Sequence, residues 1–399
     1  MSVRKRTWTT AKGDAREAWI ASYTDAGGVR RLKTFARKKE ADAFAATAHV
    51  EVRAGVHVAD SASVTVKAAA DMWLTSAEAA GLERSTVAQY TQHVNLHIAP
   101  YIGGTKLSAL TIPLIRAFED RLREEGRSPA MARKVLVSLG TLIADAQERG
   151  LAARNPIRDL RVRRGGKERR AERRQKGKLK VGVDIPRPDE IKAIVGALEG
   201  RWRPVLLTAI FTGLRASELR GLRWSDVDLA KREVRVEQRA DRFNAIGAPK
   251  SESGARTVPL PPLVANALKE WKLACPKGEL DLVFPNRGGG VESHRAIRGR
   301  GLIPSQIRAG VTVVIAGQLD KDRKPIMAAK YTGLHSLRHF YASWCINRPA
   351  DGGLGLPLKV VQERMGHASV VMTSDVYGHL FPNGDDGEEM AAAERALFT

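Results

Sequence analysis

Cysteine is nearly absent from this sequence. Cys275 and Cys345 are the only two in 399 residues, too few for a disulfide framework or a multi-cysteine zinc site, so they read as buried, inert thiols. Long apolar runs are also missing, and nothing approaches the ~18 apolar residues of a bilayer span. Polar residues follow Met1–Arg6 where a secretory signal would carry an apolar core, so a cytoplasmic protein is expected. No glycine-rich loop ending in Lys-Ser or Lys-Thr occurs, and no carboxylate cluster suits a pair of magnesium ions. Neither a cofactor nor a metal is expected.

Acidic residues are in short supply. Lys and Arg outnumber Asp and Glu 66 to 44, a net charge of +22, and such an excess points to a polyanionic partner, nucleic acid first. With 43% hydrophobic residues, the chain can bury the cores of two or three domains, the number its length suggests.

The layout is multidomain and mainly α. Residues 1–60 read as a small α+β domain. A hairpin is expected from the runs at 18–23 and 30–35 about a turn at Asp25–Gly28, followed by a helix over Ala36–Val52. Residues 1–57 carry twelve basic and six acidic side chains, suiting a sheet that lays its basic face along a DNA groove. Residues 64–155 read as a helical bundle, with apolar spacing over Val66–Leu74, Ser85–His97, Thr111–Glu125 and Ser128–Arg149. Ser85-Thr86 and Ser128-Pro129 resemble helix starts. Residues 156–182 read as a basic linker: Arg158–Lys180 holds twelve basic and three acidic residues with little apolar area to offset chain entropy, so it suits a strap along DNA phosphates. Residues 183–399 form the largest unit, mixed α/β but mostly helical. Strands are expected at Val227–Leu229, Glu233–Val236 and Arg256–Leu260, and the segment 287–330 fits no clean period. The last seventeen residues carry five acidic side chains and one basic.

This last unit holds the chemistry. Thr212-Gly213-Leu214-Arg215-Ala216-Ser217-Glu218-Leu219 and His335-Ser336-Leu337-Arg338-His339 each supply an arginine. Met365-Gly366-His367-Ala368-Ser369 supplies an imidazole, and Tyr377 a phenol ten residues on. A phosphodiester under attack gathers charge on its non-bridging oxygens, which guanidinium forks complement well. Arg215 and Arg338 are the candidates. A phenol ionises near pH 10 and needs a base or nearby cations to act as a nucleophile, and His335 can serve as that base. The ester it forms is close in energy to the one broken, so rejoining needs neither ATP nor metal. Lys250, on a hairpin loop, can protonate a leaving oxygen, with Lys231 as the alternative. Singly, each residue is a weak signal: an arginine beside Glu218 is more often a structural ion pair, and a tyrosine before glycine is usually core or surface.

Together and in this order the blocks resemble the catalytic domain of the tyrosine recombinases, the phage integrase family, over about 185–382. The resemblance implies that Tyr377 forms a 3′-phosphotyrosine, that Arg215 and Arg338 clamp the scissile phosphate, and that Lys250 protonates the 5′-oxygen. It further implies that His335 is the general base and that His367 hydrogen-bonds the phosphate. Residues 64–155 look like the family's core-binding domain, and 1–60 like the arm-binding domain of larger phage integrases. Ser336 stands where aspartate is frequent and Met365 where leucine is common. The expected function is site-specific integration and excision of phage or other mobile DNA, by a homotetramer on paired double-stranded attachment sites. The resemblance leaves room for a DNA-bending host factor and an excisionase, and expects no membrane partner. Three rival readings are chromosome-dimer resolution, type IB topoisomerase activity and a non-catalytic architectural DNA binder. The N-terminal module argues against the first, and the filled catalytic positions against the last.

Overall fold

A computed structural model describes residues 1–10, 14–25, 27–160, 178–319, 322, 325–381 and 386–398. The chain folds as two compact units, Met1–Arg164 and Gly165–Thr399. Of the basic linker expected over 156–182, residues 161–177 lie outside the described residues.

In the first unit, Ala15–Thr24 pairs antiparallel with Arg30–Phe35, as the hairpin reading expects. A further strand, Ser2–Thr9, joins its other edge in register Arg4↔Ile20 and Arg6↔Ala18. The helix Lys38–Arg53 buries Ala41 and Ala48 on the apolar face that its spacing predicts. Four helical segments then enclose one core. Val66–Ala79, Ile112–Glu124 and Pro129–Glu148 start on Thr65, Thr111 and Ser128, whose hydroxyls accept from Ala68, Leu114 and Met131 N–H, offsetting about 1 kcal/mol of unsatisfied backbone at each end. The fourth, Arg84–His93, starts after Glu83 instead of at Ser85, because Ser85 already has helical neighbours on both sides. It continues through a π-turn, Val94–Ile98, into Ala99–Ile102. The ion pair Arg154–Glu51, at 2.9 Å, joins the small sheet module to the bundle region within this unit, while Lys33–Asp60 lies within the module itself.

The second unit is built around the helix Trp202–Thr212, buried along Pro204–Ile210. It is apolar on all sides because it is covered on all sides. Leu206, Leu207 and Ile210 are fully buried, each stabilising the fold by about 1.5–3 kcal/mol. The helices Pro262–Ala274 and His335–Ile346 pack against it. A three-stranded antiparallel sheet runs Val227–Asp228, Glu233–Val236, Arg256–Pro259 in that spatial order, with Val234↔Val258 in its core face. Segment 287–330 becomes short helices joined by a π-turn over Ile297–Leu302, then a hairpin of Thr312–Leu319 with Pro325–Ala329. Cys345 is buried, as expected, while Cys275 is half-buried because its sulfur lies against the backbone of Pro276, Leu282 and Val283. Burial raises both thiols, Cys345 to about 11. Among the described residues no helix is long and apolar enough to cross a membrane.

Candidate active site

The helix Trp202–Thr212 ends at Gly213, whose φ of 61° is left-handed. A side chain there would also collide with the Tyr341 ring, so glycine is required twice over. The turn delivers Arg215 to the start of the next helix, Ala216–Gly221. Glu218 reaches back to accept the Arg215 N–H at 2.9 Å and its Nη1 at 2.7 Å. From the sheet, Arg256 donates Nη2 at 2.8 Å to Glu218 Oε2, the oxygen that also accepts the Arg215 N–H. Burial alone would raise Glu218, but the hydrogen bond and charge of Arg256, with Arg215 behind it, hold it at about 2.

The helix Leu358–Met365 supplies the second component. Its last turn leaves carbonyls without helical partners, and three guanidiniums take them in succession. Arg256 Nε donates to Arg364 O at 2.8 Å, Arg338 Nη2 to Met365 O, and Arg215 Nη2 to Gly366 O at 2.8 Å. Arg338 Nη1 also donates to Gly213 O. Gly366 ends this helix at φ 61°, and a Cβ on it would press on Arg256 Nη1 at 2.8 Å and Ser253 O at 3.0 Å. Arg338 is 2% exposed. Burial, and after it the charge of Arg215, lowers its guanidinium to about 9.

Tyr377 ends the helix Val370–Tyr377, which starts on the Ser369 hydroxyl. Its own hydroxyl lies 2.8 Å from His339 Nδ1. The His367 ring is parallel to the phenol, 3° apart in plane with centroids 6.1 Å apart, and its Nδ1 is 2.9 Å from Thr373 Oγ1. His335, on the first turn of the His335–Ile346 helix, stands edge-on to His339 with centroids 4.5 Å apart. Burial pushes Tyr377 up to about 12 against the pull of Arg338 and Arg215. Burial also lowers His367 to about 4, helped by Arg338, Arg215 and Arg256. It depresses His335 too, followed by the charges of Arg338 and Arg215.

Five of the six residues singled out in the sequence, Arg215, His335, Arg338, His367 and Tyr377, therefore gather about one phenol. Lys250 is exposed on the loop before the short turn Glu252–Gly254, whose Ser253 carbonyl borders Gly366. The alternative, Lys231, sits at the turn between Val227–Asp228 and Glu233–Val236, its N–H on Asp228 Oδ1 at 2.8 Å. Three contributors were not singled out: His339, Glu218 and Arg256. Each lay within a quoted block, but its role depends on a partner far away in sequence. Two cations whose charge acts on a phenol, with imidazoles beside it, form a set able to bind a phosphodiester and attack its phosphorus.

Residues 186–383 match the phage integrase family, and residues 65–122 match the phage integrase N-terminal SAM-like domain. A tyrosine recombinase XerC-like protein of Caldanaerobacter subterraneus subsp. tengcongensis is 27% identical over 361 residues, covering 86% of each chain. The ICEBs1 integrase of Bacillus subtilis is 27% identical, over 73% of this chain and 72% of its own. Among solved structures, the Tn1549 transposon integrase in complex with a circular intermediate DNA aligns with a TM-score of 0.61 at 18% identity, covering 84% of this chain and 100% of that one. A lambda integrase tetramer bound to a Holliday junction aligns with a TM-score of 0.54 at 16% identity, over 91% and 95% of the two chains.

Proposed function

The chain belongs to the phage integrase family and is a tyrosine-type site-specific DNA recombinase, and from that premise we propose that Tyr377 is its nucleophile. The phenol oxygen attacks the scissile phosphorus, the bond from phosphorus to the 5′-oxygen breaks, and a 3′-phosphotyrosine results. Arg215 and Arg338 take the two non-bridging oxygens, trading their carbonyl partners for an anionic acceptor. His335 and His367 close the site around the phosphate. Lys250 gives its proton to the departing 5′-oxygen. Its loop borders Gly366 and so the arginine cluster, which favours it over Lys231.

The observation that carries this reading is the meeting of two guanidiniums and the His367 ring at one buried phenol. Tyr377→Phe tests it. The variant should bind DNA like the parent yet leave no denaturant-resistant adduct on a nicked duplex, and an adduct at the parent level would remove Tyr377 from the role. The duplex carries the crossover sequence, found by sequencing the junctions formed between this gene's flanking DNA and a host chromosome.

The domains follow from the same reading. Residues 64–155 and the catalytic domain 183–399 both bind core DNA, the basic stretch 156–182 binds phosphates through its charge, and residues 1–60 bind arm-type sites through the basic sheet. The working assembly is a homotetramer on two paired sites, acting in the cytoplasm to integrate and excise phage or other mobile DNA. A DNA-bending host factor and an excisionase would set direction. Supporting the tetramer are an apolar cavity of about 410 Å³, lined by Ile191, Phe211, Phe340, Trp344 and Leu380 among others, and a C-terminal helix, Asp386–Leu397, exposing Met390 and Leu397. On this reading the helix of one copy docks in the cavity of the next. Product formation that depends on pairing two supplied sites separates this function from a type IB topoisomerase. The three-stranded N-terminal module favours integration over chromosome-dimer resolution.

A further inference from the structure

The phenol's hydrogen-bond partner in this fold is His339, and His335, the expected base, packs against the His339 ring. We infer that His339 is the catalytic base that removes the Tyr377 proton. This rests on Tyr377 being the nucleophile. Three observations carry it. His339 Nδ1 stands 2.8 Å from Tyr377 Oη, within the reach required of a general base. The two rings meet edge-on, at 61° with centroids 5.7 Å apart. His335 packs edge-on against His339 at 83°, with centroids 4.5 Å apart.

The step balances without an outside reagent. As the bond from Oη to phosphorus forms, the phenolic proton passes to His339 Nδ1, and the electron pair of the breaking bond leaves on the 5′-oxygen, which is protonated separately. On rejoining, the incoming 5′-hydroxyl displaces Tyr377 and His339 returns the proton to Oη. In the resting state the proton belongs to the phenol, because burial holds His339 at about 4, assisted by His335 and Arg338 and opposed by Asp184. It moves only when Oη begins to share its electrons with phosphorus, which makes its proton acidic. The charged or titratable groups facing His339 are His335 and Arg338 on its own helix, Tyr377 on the nucleophile's helix, and Asp184 from the segment before Pro188.

The test is the rate of adduct formation on the nicked duplex across pH 6 to 9, for the parent and for His339→Gln. A neutral base is present throughout this range, so base removal by His339 leaves the parent nearly flat. The variant must wait for spontaneous phenolate, so it should be slower by about 10²–10⁴-fold at neutral pH and should recover about tenfold per pH unit. His339→Ala with added imidazole is the companion measurement, with partial recovery of the rate expected. A variant as fast as the parent would overturn the inference. So would a loss equal at every pH and unrelieved by imidazole, which would mark His339 as structural. A parent that forms no adduct would instead sink the nucleophile reading, and this inference with it.

Discussion

Arg215 and Arg338 donate to neighbouring carbonyl oxygens, those of Gly366 and Met365, at the end of one helix. The two residues proposed to clamp the phosphate are thereby held next to each other by acceptors weaker than a phosphate. Arg338→Lys keeps a charge but loses the fork that spans Gly213 O and Met365 O. Cleavage should fall about 10²–10³-fold while DNA affinity changes little, because many other basic residues hold the backbone. Gel-shift and adduct assays on the same duplex check this, and a parallel loss in both would contradict it.

Glu218 joins Arg215 to Arg256, and the pair of Glu218 with Arg256 is almost fully buried. Glu218→Gln leaves that guanidinium without its counter-charge and should destabilise the second unit by about 3 kcal/mol at neutral pH. The sign with pH follows from the depressed carboxyl. Its contribution is complete above the ordinary value of 4.5 and is lost as pH falls from there through about 2. Denaturant unfolding of parent and variant should therefore converge in acid. A gap that stays constant down to pH 3 would refute the assignment.

In the proposed mechanism Lys250 acts on the leaving group, so a substrate whose leaving group needs no proton should not miss it. Lys250→Ala should cleave the ordinary duplex poorly and a duplex with a 5′-bridging sulfur at close to the parent rate. Arg215→Ala should be slow on both. Rescue of Lys231→Ala in place of Lys250→Ala would move the role to the other turn.

Removing the acidic C-terminal stretch Asp385–Thr399 should leave adduct formation on an isolated site intact and disturb recombination between paired sites. Sedimentation of the protein on paired sites should show the loss of the tetramer. Unchanged recombination would dissociate the tail from assembly.

Much of this architecture could be read from residue spacing, because the helices of 64–155 and the core helix Trp202–Thr212 have a regular apolar period and clear end signals. The strand Ser2–Thr9 could not be read that way. It is charged and almost wholly exposed, so no alternation marks it, and its place comes from pairing with the longer strand Ala15–Thr24. Segment 287–330 was obscured for a different reason: the π-turn at Ile297–Leu302 breaks the 3.6-residue period. In the site, Arg215, Arg338, His367 and Tyr377 stood out because their blocks occur together in order. His339 did not, since its meaning comes from a phenol 38 residues away that only the packing of two helices brings within reach. Arg256 and Glu218 were likewise visible as residues but not as a pair.

The chemistry is decided most directly by which atom carries the DNA. Trapping the parent on a nicked duplex, digesting it and sequencing the DNA-linked peptide by mass spectrometry should find a 3′-phosphate on Tyr377. A linkage to any other side chain, or trapped protein with an unmodified Tyr377 peptide, would contradict it.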